Sequence, residues 1–192
     1  MEADEGLRAR LVRVGGELLD RDGPSAVSLR EIARCAGVSH GAPRRYFPTH
    51  LELLSAIARE GFADLSERAG AALAEAPGDP RARLAVLARV YLDFAVSRRG
   101  RFELMFRHDL LESGHLGLRE ASLPLFRLLA DLVARARPEP EPPAPVVAAA
   151  LWANLHGIAQ LWTWRSLTLA TGISDPAPLL DAALAAHLGP PA

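Results

Sequence analysis

The chain has 192 residues, with 22 basic and 23 acidic side chains, a formal net charge of −1 and 49% hydrophobic residues. That apolar share excludes an intrinsically disordered chain, and a single cysteine excludes an internal disulfide framework. The near-neutral balance excludes a polycation, so any case for nucleic-acid binding rests on where the charge lies.

The apolar pattern is helical almost throughout. Leu7, Leu11, Val14 and Leu18 fall on one stripe of an opening helix. Asp22-Gly23-Pro24 ends it, because glycine suits the C′ position and proline cannot continue the helix. Ser28-Leu29-Arg30-Glu31 is a capping box, and the helix it opens puts Leu29, Ile32, Ala33 and Ala36 on one face. Gly37 breaks that helix, Val38 follows as an apolar plug, and Ser39 is expected to cap a third, short helix through about Tyr46. Thr49 and Glu52 repeat the capping logic for a long helix, with Leu51, Leu54, Ala58, Phe62, Leu65, Ala69 and Leu73 inward.

Pro77-Gly78-Asp79-Pro80 ends the long helix and caps the next, roughly 80–98. Gly100 is expected to separate a short aromatic segment, Phe102 to Leu111, and Ser113-Gly114 is a further break. A helix of about 116–136 follows, bent at Pro124. The run PEPEPPAP at 138–145 reads as an extended connector. Residues of about 145–171 read as one long apolar helix, roughly 40 Å at 1.5 Å per residue. Gly172 ends it, and a last helix runs from Asp175-Pro176 to about His187. The expected fold class is all-α, with about nine helices and no strand, hairpin or repeat signal.

Residues 28–47, SLREIARCAGVSHGAPRRYF, carry the functional signal. A capped helix, a turn on Ala36-Gly37-Val38 and a second short helix make a helix-turn-helix, whose second helix would enter a major groove. Residues 28–50 hold Arg30, Arg34, Arg44 and Arg45 against Glu31 alone, whereas residues 1–27 hold four arginines against six acidic residues. A dimer would double that local positive charge. Ser39, His40, Arg44, Arg45 and Tyr46 offer donors to phosphates and bases, and the helix starts at Ser28 and Thr49 offer oriented amides. Leu29, Ile32, Val38 and Phe47 read as core, and Arg34 as either a solvated residue or a phosphate contact. His50 stands between helix-start packing and a phosphate contact, and Cys35, without a resolving partner, reads as a small, semi-buried residue rather than a redox switch.

This arrangement resembles the TetR family of transcriptional regulators across about residues 8–60. The carriers are an opening amphipathic helix, a D-x-G turn, S-x-R-E-I-A, then A-G-V-S, the aromatic pair Tyr46-Phe47, and a capped helix with Leu53-Leu54. The resemblance implies a homodimer with one three-helix head per chain, residues 1–48, and a divergent ligand-binding and dimerisation body, residues 49–192. It implies DNA contacts at Ser28 and Arg30, at Ser39, His40, Ala42, Arg44 and Arg45, and at Thr49 and His50. It implies a repressor that leaves its operator when a small apolar effector shifts the helix starting near Thr49. Two positions depart from the family pattern: Pro43-Arg44 stands where a Leu-Tyr pair is common, and His50 where a lysine is usual. Pro43, about four residues into the expected recognition helix, would remove one amide hydrogen bond.

In the body, no phosphate loop, Cys/His cluster or nucleophile motif occurs, so neither an enzyme nor a cofactor is expected. His108, Glu112 and His115 have helical spacing, but Ser113-Gly114 interrupts it, and exposed polar residues at a helix end are the expectation rather than a metal site. Phe94, Phe102, Met105, Phe106, Phe126, Trp152 and His156 recur on helices that should share an interior. Each reads as core, while together they allow an apolar ligand site. The stretch Trp152-Ala153-Asn154-Leu155-His156-Gly157 resembles the W-x-x-x-H-G segment of a TetR subgroup, with Asn154 and His156 as buried polar candidates. Val146, Val147, Ala150, Leu151, Leu155, Leu161, Trp162, Trp164, Leu167 and Leu169 exceed what one interior face needs, which suggests a helical interface with a second copy. Ala182, Ala183, Ala185 and Ala186 permit close helix approach there. The start, MEADEGLRAR, lacks a signal peptide's apolar stretch, and no uninterrupted apolar run reaches the ~18 residues of a membrane span. A cytoplasmic protein is expected, with double-stranded DNA, a small effector and a second copy as partners and no membrane. The alternative is a helical ligand-binding or interaction module that no longer binds DNA.

Overall fold

The computed structural model describes residues 2–107, 109–110, 117–137 and 141–189. These form helices α1 (Glu2–Asp22), α2 (Leu29–Cys35), α3 (Ala42–Tyr46), α4 (His50–Ala74) and α5 (Pro80–Ser97). They continue with α6 (Arg99–Met105), α7 (Leu118–Ala136), α8 (Ala144–Thr163), α9 (Ser166–Thr171) and α10 (Ala177–Leu188). One 3₁₀ turn, Pro24–Ala26, links α1 to α2, and the described residues contain no strand. The chain divides into two compact units: residues 1–64 with 98–121, and residues 65–97 with 122–192.

The first unit is built on the apolar stripe of α1. Leu11, Val14, Leu18 and Leu19 are buried together with Ile32 and Ala33 of α2, Phe47, and Leu53, Leu54 and Ile57 of α4. Gly23 leaves α1 at φ 81°, a conformation open to glycine, and its N–H closes on the Leu19 carbonyl at 3.0 Å. α6 lies against α1 through two glycines. A Cβ on Gly100 would collide with the Leu19 carbonyl, and one on Gly16 would sit 2.8 Å from the Arg101 guanidinium. Gly100 is therefore a residue inside α6, not the break its sequence context suggested. Its missing side chain lets two backbones touch.

The second unit packs α5 against α8 and α10, burying Leu84, Ala88, Leu92, Phe94 and Ala95 of α5 with Val147, Ala148, Leu151, Leu155 and Ala159 of α8 and Leu180, Ala183 and Leu184 of α10. Asp79 caps α5, its carboxylate accepting the Ala82 N–H at 2.7 Å. Arg81 donates to the Gly189 carbonyl at 2.6 Å and so closes the C-terminus of α10. Pro124 lies inside α7.

Two expectations are corrected in this unit. The single helix of about 145–171 is two: α8 ends at Thr163 with Trp164 as its C-cap, Arg165 adopts a left-handed φ of 62°, and α9 starts afresh. Neither glycine nor proline marks that break, so local sequence carried no signal for it. The connector is also shorter, because Ala144 and Pro145 already belong to the first turn of α8, where proline's missing N–H is harmless. α8 is in addition long and apolar enough, by length and composition, to cross a membrane. Counting only uninterrupted apolar residues missed this, since Asn154, His156 and Gln160 are diluted by alanine, leucine and tryptophan.

Candidate nucleic-acid interface

The helix-turn-helix is assembled by local hydrogen bonds that the sequence specifies. Ser28 is extended, at φ −129° and ψ 152°, and its hydroxyl accepts the Glu31 N–H at 3.2 Å, which starts α2. The Glu31 carboxylate takes the Arg34 guanidinium, with Nε to Oε2 at 2.9 Å, and that pairing holds the Glu31 pKa down at about 2. Arg34 is thus committed to its own helix. Cys35, expected to be semi-buried, is exposed, because it stands on the solvent side of α2 with its thiol 3.5 Å from both partners of that pair. Gly37, at φ 67°, reverses the chain, and the Val38 N–H returns to the Ala33 carbonyl at 3.0 Å.

α3 starts later than its sequence suggested. Gly41, not Ser39, occupies the N-cap, and the Ser39 carbonyl accepts the Ala42 N–H at 3.0 Å within the turn. Pro43 accounts for the shift: its fixed φ and missing N–H suit a first turn and oppose a helix interior. The expected loss of an amide hydrogen bond therefore does not occur, because Pro43 sits where helix amides have no partner anyway. Pro43 is buried, and its carbonyl accepts the Phe47 N–H at 2.8 Å.

Around this scaffold, Arg30, Ser39, His40, Arg44 and Arg45 are exposed, and Ala42 and Tyr46 are half-buried. Arg30, Arg44 and Arg45 make no ion pair with any described residue. Thr49 opens α4 with its hydroxyl accepting the Glu52 N–H at 3.2 Å and donating to the Glu52 carboxylate at 3.2 Å. His50 Nε2 donates to the Val27 carbonyl at 2.8 Å, which ties the start of α4 to the residue before the α2 cap. Ser28, Thr49 and His50 thus set helix starts, while Arg30, Arg44 and Arg45 supply the uncommitted cations. Such guanidiniums suit phosphate or guanine.

The aromatic residues of the body fall into two groups, one in each unit. In the first unit Phe106 meets Phe62 and Phe102 edge to face, with centroids 5.7 and 5.2 Å apart, and Met105 lies over Gly61, whose absent side chain makes the room. In the second unit the buried Phe94 carries the Arg68 guanidinium 5.5 Å above its ring. Phe126 meets the exposed Trp152 edge to face at 6.4 Å.

His156 joins Trp152 in a polar network that includes a residue the sequence reading omitted. The Tyr91 hydroxyl lies 2.7 Å from His156 Nδ1 and accepts the Trp152 indole N–H at 3.2 Å. Burial lowers the His156 pKa and raises that of Tyr91. A tyrosine within the apolar run of α5 was the available signal. Asn154, expected to be buried, is exposed, with its Nδ2 3.4 Å from His187 Nε2, because it stands on the side of α8 away from Leu151 and Leu155.

Sequence reading also passed over Arg101. Its side chain is buried in the first unit with Nε 2.9 Å from Asp20 Oδ2, and Glu60 is 3.7 Å from its Nη1. Burial outweighs these arginine contacts and raises the Asp20 pKa, and burial raises that of Glu60 as well. Among the described residues no group of three His, Cys, Asp or Glu side chains comes together to hold a metal; His108, Glu112 and His115 lie outside the described residues.

Two sequence families match the chain. Residues 11–57 match the family described as bacterial regulatory proteins, tetR family, and residues 84–187 match the tetracyclin repressor-like C-terminal domain. Among solved structures, a protein of unknown function from Rhodococcus sp. RHA1 shares 31% identity with a TM-score of 0.81, over 95% of this chain and 93% of its own. A TetR-family transcriptional regulator from Bordetella parapertussis 12822 shares the fold at 20% identity and a TM-score of 0.64, covering 96% of this chain and 95% of its own. The multidrug binding protein EbrR, complexed with imidazole, shares the fold at 24% identity and a TM-score of 0.59, over 96% of each chain. No curated protein matches the chain by sequence.

Proposed function

The chain belongs to the TetR family of bacterial regulators, and on that premise we propose that it is a dimeric, cytoplasmic repressor whose hold on its operator is released by a small apolar effector. The carrying observation is the cationic face of the helix-turn-helix. Arg30, Arg44 and Arg45 are exposed on a segment, residues 28–50, whose one acidic residue, Glu31, is paired with Arg34. That leaves positive charge where a recognition helix would meet a duplex. DNA contacts are assigned to Ser28, Arg30, Ser39, His40, Ala42, Arg44, Arg45, Tyr46, Thr49 and His50. Residues 1–48 form the DNA-binding head and residues 49–192 the ligand-binding and dimerisation body. The effector contacts are assigned to Phe94, Phe102, Met105, Phe106, Phe126, Trp152 and His156; EbrR, of the same fold, is described as a multidrug binding protein.

A dimer presents two recognition helices to successive major grooves, about 34–36 Å apart. The effector acts by binding the DNA-incompetent arrangement more tightly than the competent one, because equal affinity for both would shift nothing. The reading assigns no reaction to the chain.

Selection of bound fragments from random duplex DNA with the purified protein tests the proposal. A near-palindromic site with half-sites about one helical turn apart is expected. Failure to retain any duplex at low salt would leave a helical ligand-binding module as the reading.

A further inference from the structure

Arg8 lies on α1, outside the helix-turn-helix segment to which the DNA contacts were assigned. Its Cζ sits 5.2 Å from the centroid of the Phe47 ring, while the Arg8 side chain itself is exposed. Phe47 is 1% exposed and forms the C-cap of α3, its N–H held by the Pro43 carbonyl at 2.8 Å. The ring is therefore fixed, and the guanidinium resting on it is held next to one residue of the chain. Arg44, Arg45 and Tyr46 immediately precede that residue, and Pro48, Thr49 and His50 follow it.

We propose that Arg8 is a further DNA-contacting residue, a phosphate clamp that extends the cationic face of the helix-turn-helix onto α1. A guanidinium over an aromatic ring keeps its N–H donors, which suit a phosphate in two parallel hydrogen bonds. The ring contact also restrains the side chain in advance, so less conformational freedom is lost when a phosphate arrives. Among the described residues Arg8 makes no ion pair, in contrast to Arg13, which is 2.6 Å from Glu17 on the same helix. A phosphate contact carries no base information, so Arg8 strengthens binding to every duplex alike.

This inference rests on the proposed DNA binding, and the test separates the two. Binding of wild type, Arg8→Met, Arg8→Gln and Arg8→Lys to a random-sequence duplex is titrated by fluorescence anisotropy at several salt concentrations, with thermal unfolding followed in parallel. Methionine keeps apolar cover on Phe47 and removes the charge; lysine restores the charge. Arg8→Met and Arg8→Gln should bind about tenfold more weakly at low salt. Their plot of log affinity against log salt should lose about 0.9 of slope, one phosphate's worth, with unfolding temperatures within a few degrees of wild type. Arg8→Lys should recover the slope. Wild-type slope in Arg8→Met and Arg8→Gln would overturn the clamp and leave Arg8 as packing on Phe47, with DNA binding intact. Should wild type itself bind no duplex, the functional proposal and the clamp fall together.

Discussion

Asp20 and Arg101 stand 81 positions apart in the chain and meet twice. The Arg101 main-chain N–H donates to Asp20 Oδ1 at 3.1 Å, and the guanidinium Nε lies 2.9 Å from Oδ2. Arg98 adds a second guanidinium 4.0 Å from the same carboxylate and 3.9 Å from Asp64. The contact fastens α6 to α1, the helix on which the recognition unit is built, at the point where Gly16 and Gly100 allow the two helices to approach.

Breaking this pair from one side leaves a buried charge without its partner. Arg101→Met should therefore destabilise the protein by about 2–4 kcal/mol, measured by urea denaturation. In Asp20→Asn with Arg101→Met the loss should fall well short of the sum of the two single losses, because the second change removes a charge that the first has stranded. Strict additivity would mean that the two side chains do not interact.

The glycines give a prediction of opposite signs. Gly100→Ala drives a methyl group into the Leu19 carbonyl, a backbone atom that cannot swing away. The cost should be about 1–3 kcal/mol, as for other overpacked sites. Gly70 lies inside α4, and a Cβ there would meet nothing within 4 Å. Gly70→Ala should therefore raise stability by about 0.5–1 kcal/mol through helix propensity alone. Thermal unfolding of both variants distinguishes close helix contact from simple glycine content.

The Tyr91 network makes stability depend on pH in a stated direction. The indole N–H can only donate, so the Tyr91 oxygen accepts it at 3.2 Å, and the same hydroxyl lies 2.7 Å from His156 Nδ1. Burial disfavours the charged imidazole and lowers the His156 pKa below its ordinary 6.5. As pH falls through about 6.5 the unfolded chain takes up a proton that the folded chain still refuses, so the contribution of His156 to stability is whole above that pH and declines below it. Between about pH 7.5 and 5.5, His156→Gln should lose less stability than wild type, read from denaturation midpoints at each pH. Identical losses would show that His156 does not titrate differently on folding.

Removing both guanidiniums of the recognition helix should weaken DNA binding. Arg44→Ala with Arg45→Ala is expected to cost over ~1 kcal/mol of affinity, with unfolding little changed because both side chains are exposed. Electrophoretic titration on the selected site measures it, and unchanged affinity would remove α3 from the interface.

Capping and apolar spacing made most helices readable. Ser28, Thr49 and Asp79 each accept the amide three residues on, and each was a serine, threonine or aspartate directly before an apolar repeat. What stayed hidden was long-range. Gly100 looks like punctuation until Leu19 is placed against it, and Arg101 looks like a surface arginine until Asp20 closes on it. Arg165 breaks an apolar helix with no breaker residue in sight. At the proposed interface the exposed arginines stood out by local charge, whereas the commitment of Arg34 to Glu31 and of His50 to Val27 needed the folded chain.

The break at Arg165 also bears on how two copies would meet. A residue other than glycine at φ 62° costs roughly 1 kcal/mol, so the turn it makes should be offset by contacts elsewhere. It leaves Trp164 53% and Leu169 85% exposed, beside Leu161 at 39% on the same stretch of chain. Large apolar side chains clustered in this way are uncommon on a monomer and suit an interface. If a second copy covers them, Trp164→Glu with Leu169→Glu should raise the dimer dissociation constant at least tenfold, by desolvating two charges against apolar partners. Helix content should stay unchanged, because neither side chain is buried within one chain. Sedimentation equilibrium at micromolar concentration reads the result. A wild-type protein that sediments as a monomer would remove the dimer from the functional proposal. A variant that stays as tightly dimeric as wild type would place the interface away from α9, on the exposed residues of α8 and α10 alone.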